Sequence, residues 1–172
     1  RANHPTARIE GTHVPTIARA NDLALESKRG PVYGPLDLRI QDGLTVLHAP
    51  SGSGRTSLLL TLAGRMKPSA GTLETLGREL PRGARRVQRE SGIAGFAGID
   101  DLDDMKRLIQ GLKDEHTVVL IEHNMGIVMD ISDTITVMQQ GRVLAEGLPH
   151  EIRADERVRS AYLGNMITGG KA

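Results

Sequence analysis

Apolar and polar positions alternate over residues 17–25 and again over 36–40, the two-residue period of half-buried strands. Residues 28–35 carry two glycines and two prolines and read as a turn between them. Asp42 and Gly43 mark a tight turn, and 44–48 then reads as a buried strand. Small residues fill 49–54, followed by an apolar helix over 55–65. Beyond it the pattern predicts a turn at 67–71, a short strand at 72–76, a basic connection at 81–89 and a strand at 93–97. Over 101–114, Leu102, Met105, Leu108, Ile109 and Leu112 share one helical face. Residues 117–121 form a β-branched strand and 124–131 a helix. The segments 134–138 and 142–146 flank 139–141 as a hairpin, and 151–153 and 158–163 are short helical pieces. Strands alternate with helices through the middle, which predicts an α/β layer architecture. Residues 1–16 are a flexible polar lead-in, 17–165 one domain, and 166–172 a tail.

Composition narrows the partners. Aromatics are 2% of the chain, namely Tyr33, Phe96 and Tyr162. The core is therefore aliphatic, and stacking platforms for single-stranded nucleic acid are not expected. The net charge of +1 favours no class of partner by long-range attraction. With no cysteine, disulfides and thiolate metal sites are excluded. The longest apolar stretches, 58–63 and 118–121, are too short to span a bilayer, and residues 1–15 lack the apolar core of a signal peptide. The expectation is a cytoplasmic chain that meets a membrane through a partner.

The chemistry concentrates in 49–57, which reads Ala49-Pro50-Ser51-Gly52-Ser53-Gly54-Arg55-Thr56-Ser57. It sits between a strand and a helix, the context of a phosphate loop of the form G-x-x-x-x-G-K-[ST]. Small residues let successive backbone N–H groups surround a phosphate, and the helix starting at Arg55 adds its positive end. Thr56 is placed to offer its hydroxyl to Mg²⁺. Ala49 stands at the first glycine position, and Arg55 at the lysine position. A guanidinium keeps the charge but is broad and planar, so nucleotide binding is expected to be weakened and hydrolysis more so. The competing reading is a glycine-rich turn without a ligand; the order Pro-Ser-Gly-Ser-Gly, cation, Thr-Ser in this context favours the phosphate.

These residues resemble the opening of an ATP-binding cassette (ABC) ATPase: 36–40, the 42–43 turn, then 44–60 as strand, loop and helix. Met66-Lys67-Pro68-Ser69-Ala70-Gly71-Thr72-Leu73 resembles the family's next turn and strand. Thr117–Met125 is similar to its strand and switch-histidine loop, and 132–147 to the hairpin that follows. The ending, 149–153 through 159–164, resembles cassettes of branched-chain amino acid importers. The resemblance covers about 17–97 and 104–165; between these halves the family's helical subdomain, its Leu-Ser-Gly-Gly-Gln-type motif and its acidic Walker B strand have no counterpart in the sequence. It implies an α/β, P-loop NTPase-like core with an antiparallel β subdomain, lacking the helical subdomain. It implies ATP and Mg²⁺ as ligands, with Thr56 toward the metal and His123 as a catalytic switch histidine at the γ-phosphate. It further implies transmembrane transporter subunits and a second cassette, like or unlike, as partners, and a place at the inner face of the cell membrane. Whether the chain is still an ATP hydrolase stays open, since the acidic residues that polarise water lie in the missing segment. A non-enzymatic interaction or structural module, or a truncated remnant, that keeps the cassette shape without nucleotide binding is the alternative.

Four features carry two readings each. Tyr33 either contacts adenine or packs. Asp100, Asp101, Asp103 and Asp104 either bind a cation, with Asp101 or Asp103 as a stand-in for the missing Mg²⁺ partner, or form a solvated helix start. Arg78, Arg82, Arg85, Arg86 and Arg89 either meet nucleic acid or form a solvated surface; no nucleic-acid motif supports the first. Glu122 resembles a catalytic glutamate but belongs to the strand end. Met125, Met129 and Met138 read as core filler.

Overall fold

The structure, a computed structural model, describes residues 14–94 and 102–163. Two four-stranded sheets organise it. The first is antiparallel, in the order β2-β1-β4-β5, with β1 Thr16–Ser27, β2 Gly30–Gln41, β4 Ala70–Thr75 and β5 Arg78–Leu80. The second runs β6-β3-β7-β8, with β3 Leu44–His48, β6 Val118–Glu122, β7 Thr134–Gln139 and β8 Arg142–Gly147. In it β3 lies parallel to β6 and β7, while β7 and β8 form the expected hairpin.

All of β3 is buried, as a central parallel strand covered on both faces must be. Its alternate side chains feed two cores. Leu47 joins a cluster with Leu23, Tyr33, Leu38 and Ile40 of the antiparallel sheet and with Leu58 and Leu62 of α1, Arg55–Leu62. Leu44 and Val46 join a second cluster on the opposite face. There Ile109 of α3 (Leu102–Lys113) meets Val128 and Ile131 of α4 (Met125–Ile131), Ile152 of α5 (Pro149–Ala154) and Val158 of α6 (Glu156–Val158). A π-helical turn, Arg159–Leu163, continues α6. Among the described residues β6 ends the sheet, and none pairs with its outer edge.

Several sequence expectations shift. The turn over 28–35 contracts to Lys28 and Arg29, and Pro31 and Pro35 lie inside β2. β2 is an edge strand, where a missing N–H leaves no ladder partner unsatisfied. The helix from Arg55 ends at Leu62, because Gly64 turns left-handed at φ 69°. The basic connection contains α2, Ala84–Glu90, anchored by the buried Val87. Residues 93–94 are irregular, and the rest of the strand expected at 93–97 lies outside the described residues. The face expected on α3 is only partly covered: Ile109 is buried, while Leu108 and Leu112 are exposed. Met125 and Met138 are buried and Met129 half-buried, as core filler should be.

Candidate phosphate-binding site

The loop between β3 and α1 is shaped by two glycines. Gly52 and Gly54 have φ of 81° and 82°, the left-handed region where a side chain is strained. Gly54 carries a second constraint: a Cβ there would lie 2.5 Å from the Val32 carbonyl oxygen. The backbone of β2 thus packs directly on the loop, and only glycine fits. Ala49 is buried, and its φ is not positive, so the substitution at the first glycine position places no strain on this loop. Pro50, Ser51 and Gly52 are exposed at the tip. Ser53 is buried and closes the turn, its Oγ donating to the Pro50 carbonyl at 2.6 Å and its N–H reaching the same oxygen at 3.3 Å.

Helix α1 starts at Arg55 with no acidic residue in its first turn, so its positive end faces the loop uncompensated. Thr56 is exposed and Ser57 half-buried on that turn. Arg55 is half-buried; its Nη1 atom is buried and has no hydrogen-bond partner. Left-handed glycines, a bare helix N-terminus and an unpartnered guanidinium nitrogen suit an anionic oxygen ligand. The described residues hold no group of three or more His, Asp or Glu side chains fit to bind a metal ion.

Parallel pairing brings a second segment to the same end of the sheet. His48 of β3 pairs with Glu122 of β6, so the chain leaves both strands side by side into the loop and into His123–Asn124. The His123 side chain is 83% exposed, with Nδ1 3.2 Å from a Glu122 carboxylate oxygen. That carboxylate accepts from the N–H groups of both His123 and Asn124 at 2.7 Å. Glu122 therefore shapes the histidine turn, and Asn124 caps α4 by accepting from Gly126 and Ile127.

Tyr33 is corrected as a nucleotide contact. Its side chain is 1% exposed and donates to Thr61 Oγ1 at 2.8 Å inside the first core, leaving no ring face for adenine. Burial raises its phenol above the ordinary value, and the Thr61 bond partly offsets this. Of the acidic run, Asp103 and Asp104 stand in the first turn of α3, where the helix dipole favours them, and Asp104 pairs with Arg107 at 3.0 Å. Asp100 and Asp101 lie outside the described residues. Arg82, Arg85, Arg86 and Arg89 are exposed, with Arg86 paired to Glu90 at 3.0 Å. Sequence reasoning missed His48, which is 3% exposed behind the loop; a histidine within a buried apolar strand was the available signal.

This arrangement is the fold of the ATP-binding cassettes. A nucleotide-free ATP-binding cassette from an ABC transporter matches with a TM-score of 0.68 at 14% identity, over 86% of this chain and 99% of the other. A cassette in its ADP conformation matches with a TM-score of 0.68 over 87% of this chain and 99% of the other, also at 14% identity. By sequence, the chain resembles the ATP-binding proteins of branched-chain amino acid transport. Residues 142–166 match the family model for the branched-chain amino acid ATP-binding cassette transporter. The BraF protein of Pseudomonas aeruginosa, a high-affinity branched-chain amino acid transport ATP-binding protein, is 53% identical over 66 residues, 37% of this chain and 26% of that protein. The Escherichia coli lipopolysaccharide export ATP-binding protein LptB is 33% identical over 105 residues, 53% of this chain and 44% of its own length. The chain thus spans about a quarter of the length of the branched-chain relatives it matches. No helix among the described residues is long and apolar enough to cross a membrane.

Proposed function

We propose that the chain is an ATP-binding component of an ABC transporter, of the branched-chain amino acid importer type, that holds nucleotide with little or no hydrolysis. The observation that carries this is the loop over 49–57, with Gly52 and Gly54 left-handed, at the start of α1 beside the unpartnered Arg55 Nη1. Backbone N–H groups of Ser51 to Thr56 would cradle the phosphates, with Pro50 setting the entry to the loop. Arg55 would supply the counter-charge, Thr56 the metal-directed hydroxyl, and Ser57 a further polar group in the first turn. His123, exposed beside the loop, would leave its 3.2 Å contact with Glu122 to reach a terminal phosphate. Mg²⁺ bound with the nucleotide would neutralise phosphate charge.

Low turnover follows from what the residues are already doing. One oxygen of the Glu122 carboxylate accepts from two backbone N–H groups, so this side chain is engaged in shaping the histidine turn. The broad Arg55 guanidinium replaces a compact ammonium. Transmembrane subunits and a second cassette are the partners, which would hold the chain at the inner face of the membrane.

The test is equilibrium titration with a fluorescent ATP analogue, with and without Mg²⁺. Saturable, Mg²⁺-enhanced binding without phosphate release is expected. A folded sample that shows no saturation at millimolar nucleotide would refute the proposal.

A further inference from the structure

β6 forms one edge of its sheet, and among the described residues no strand pairs with its outer side. The Val118 N–H donates to the Gly43 carbonyl, toward β3. Backbone groups alternate sides along a strand, so the N–H and C=O groups of Val119 and Ile121 point outward. Proteins blunt such an edge with proline, lysine or a bulge. β6 reads Val118-Val119-Leu120-Ile121-Glu122 and pairs with β3 in unbroken register, so it carries none of these. Helix α3 adds an apolar flank on the same side. Lys106 and Lys113 pair with Asp130 of α4 and with Asp133, just ahead of β7. That flank of α3 therefore faces inward across the sheet. Ile109 points into the second core. At about 100° per residue, Met105, Leu108 and Leu112 fall on the other side of Ile109 from both lysines. They face outward, past β6, and Leu108 is 45% exposed and Leu112 38%.

We propose that this edge and flank form an interface between two copies of the chain, their β6 strands antiparallel about a two-fold axis at Val119. Such a contact needs a surface that complements itself, and charge selects the register that does so. With Val119 opposite the partner's Val119, Ile121 meets the partner's Thr117 and Glu122 meets the partner's His116. Glu115 and the partner's His123 come next. Each end of the ribbon thus sets carboxylates against imidazoles. Registers centred on Leu120 or Ile121 lay Glu122 against the partner's Val118 or the partner's Leu120 instead. One Glu122 oxygen serves the histidine turn, which leaves the second for the partner's His116. The axis stands perpendicular to the sheet, so both α3 helices lie on one face and their apolar flanks meet over the new strand pair. Leu108 and Leu112 leave water there. The antiparallel arrangement sends the two phosphate loops to opposite ends of the joined sheet, so the contact does not rest on nucleotide binding.

The test is the oligomeric state of the full chain without nucleotide, by sedimentation at about 100 µM, where a contact of micromolar affinity is saturated. A dimer is expected. Leu108→Lys together with Leu112→Lys changes two exposed residues and should give a folded chain whose dimer dissociation constant rises about tenfold or more. Hydrogen exchange should show the Val119 and Ile121 amides protected in the native dimer and unprotected in that variant, with Val118 and Leu120 protected in both. The chain has no cysteine, so Val119→Cys introduces a single thiol that meets its own copy on the axis. Cα atoms of such a hydrogen-bonded pair lie about 5.5 Å apart, within disulfide reach. Oxidation by diamide should lock the dimer covalently, and it reports the contact even where the double lysine variant does not fold. A native monomer at about 100 µM overturns the interface; slow exchange at Val119 and Ile121 in that monomer would assign the edge to the chain's own residues. A dimer undiminished by the two lysines, or one that Val119→Cys fails to lock, overturns it as well.

Discussion

Tyr33 donates its hydroxyl hydrogen to Thr61 Oγ1 at 2.8 Å, and Thr61 passes its own to the Ser57 carbonyl at 2.8 Å. This relay ties the edge strand of the antiparallel sheet to the helix that begins in the phosphate loop. Both side chains are buried, so neither bond is replaced by water if broken. Tyr33→Phe keeps the ring and deletes the first link. It should lower stability by about 1 kcal/mol, read by urea denaturation. Tyr33→Ala also leaves a cavity and should cost about 3–5 kcal/mol.

The two loop glycines should respond differently to alanine. At Gly52 the new methyl meets open space, so only the left-handed backbone is penalised, at about 1–2 kcal/mol. At Gly54 the same penalty adds to a clash 2.5 Å from the Val32 carbonyl. Gly54→Ala should therefore be the more destabilising, and it should displace β2 or the loop. Equal melting temperatures for the two variants would contradict this account of the packing.

Asp133 bridges two elements at the end of β3 opposite the loop. Its Oδ2 accepts from the Leu44 N–H at 2.8 Å, and its Oδ1 pairs with Lys113 of α3 at 2.5 Å. The ion pair is partly exposed and contributes little by itself. The bond to Leu44 starts strand β3, so Asp133→Ala should cost about 1–3 kcal/mol, more than Lys113→Ala. Chemical denaturation of the two variants distinguishes these contributions.

Acid should act through His48. Its folded pKa is lowered below 6.5, chiefly by burial. The unfolded chain then takes up a proton at higher pH than the folded one, so stability falls as pH drops below 6.5 toward the folded pKa. Above 6.5 the residue imposes no such penalty. His48→Gln removes it, so the gap in melting temperature between variant and native chain should shift in the variant's favour on acidification. A constant gap between pH about 7.5 and about 5 would count against a buried neutral imidazole.

Much of this arrangement is written locally. The buried run 44–48 and the glycine spacing of the loop identify strand and turn without help from the rest of the fold. Asn124 also announces the start of α4. The hairpin β1–β2 was harder, because Pro31, Gly34 and Pro35 are turn signals that an edge strand can absorb. Helix α2 was hidden because it buries a single residue, Val87, and one apolar position sets no period. Tyr33 and His48 owe their roles to long-range packing. The first is enclosed by the antiparallel sheet and α1, and the second is defined by a carbonyl 74 residues away. No window of sequence contains either environment.

The central claim is that this loop holds nucleotide through its phosphates. Thermal unfolding in a series of adenosine, AMP, ADP and ATP, each with Mg²⁺, tests it most directly. At a ligand concentration about 100 times its Kd, binding to the folded state alone adds about 2.7 kcal/mol, enough to raise the melting temperature by several degrees. The account predicts that ADP and ATP raise it, that adenosine does not, and that Arg55→Met removes the rise. An equal rise with adenosine, or none with any member of the series, would contradict it.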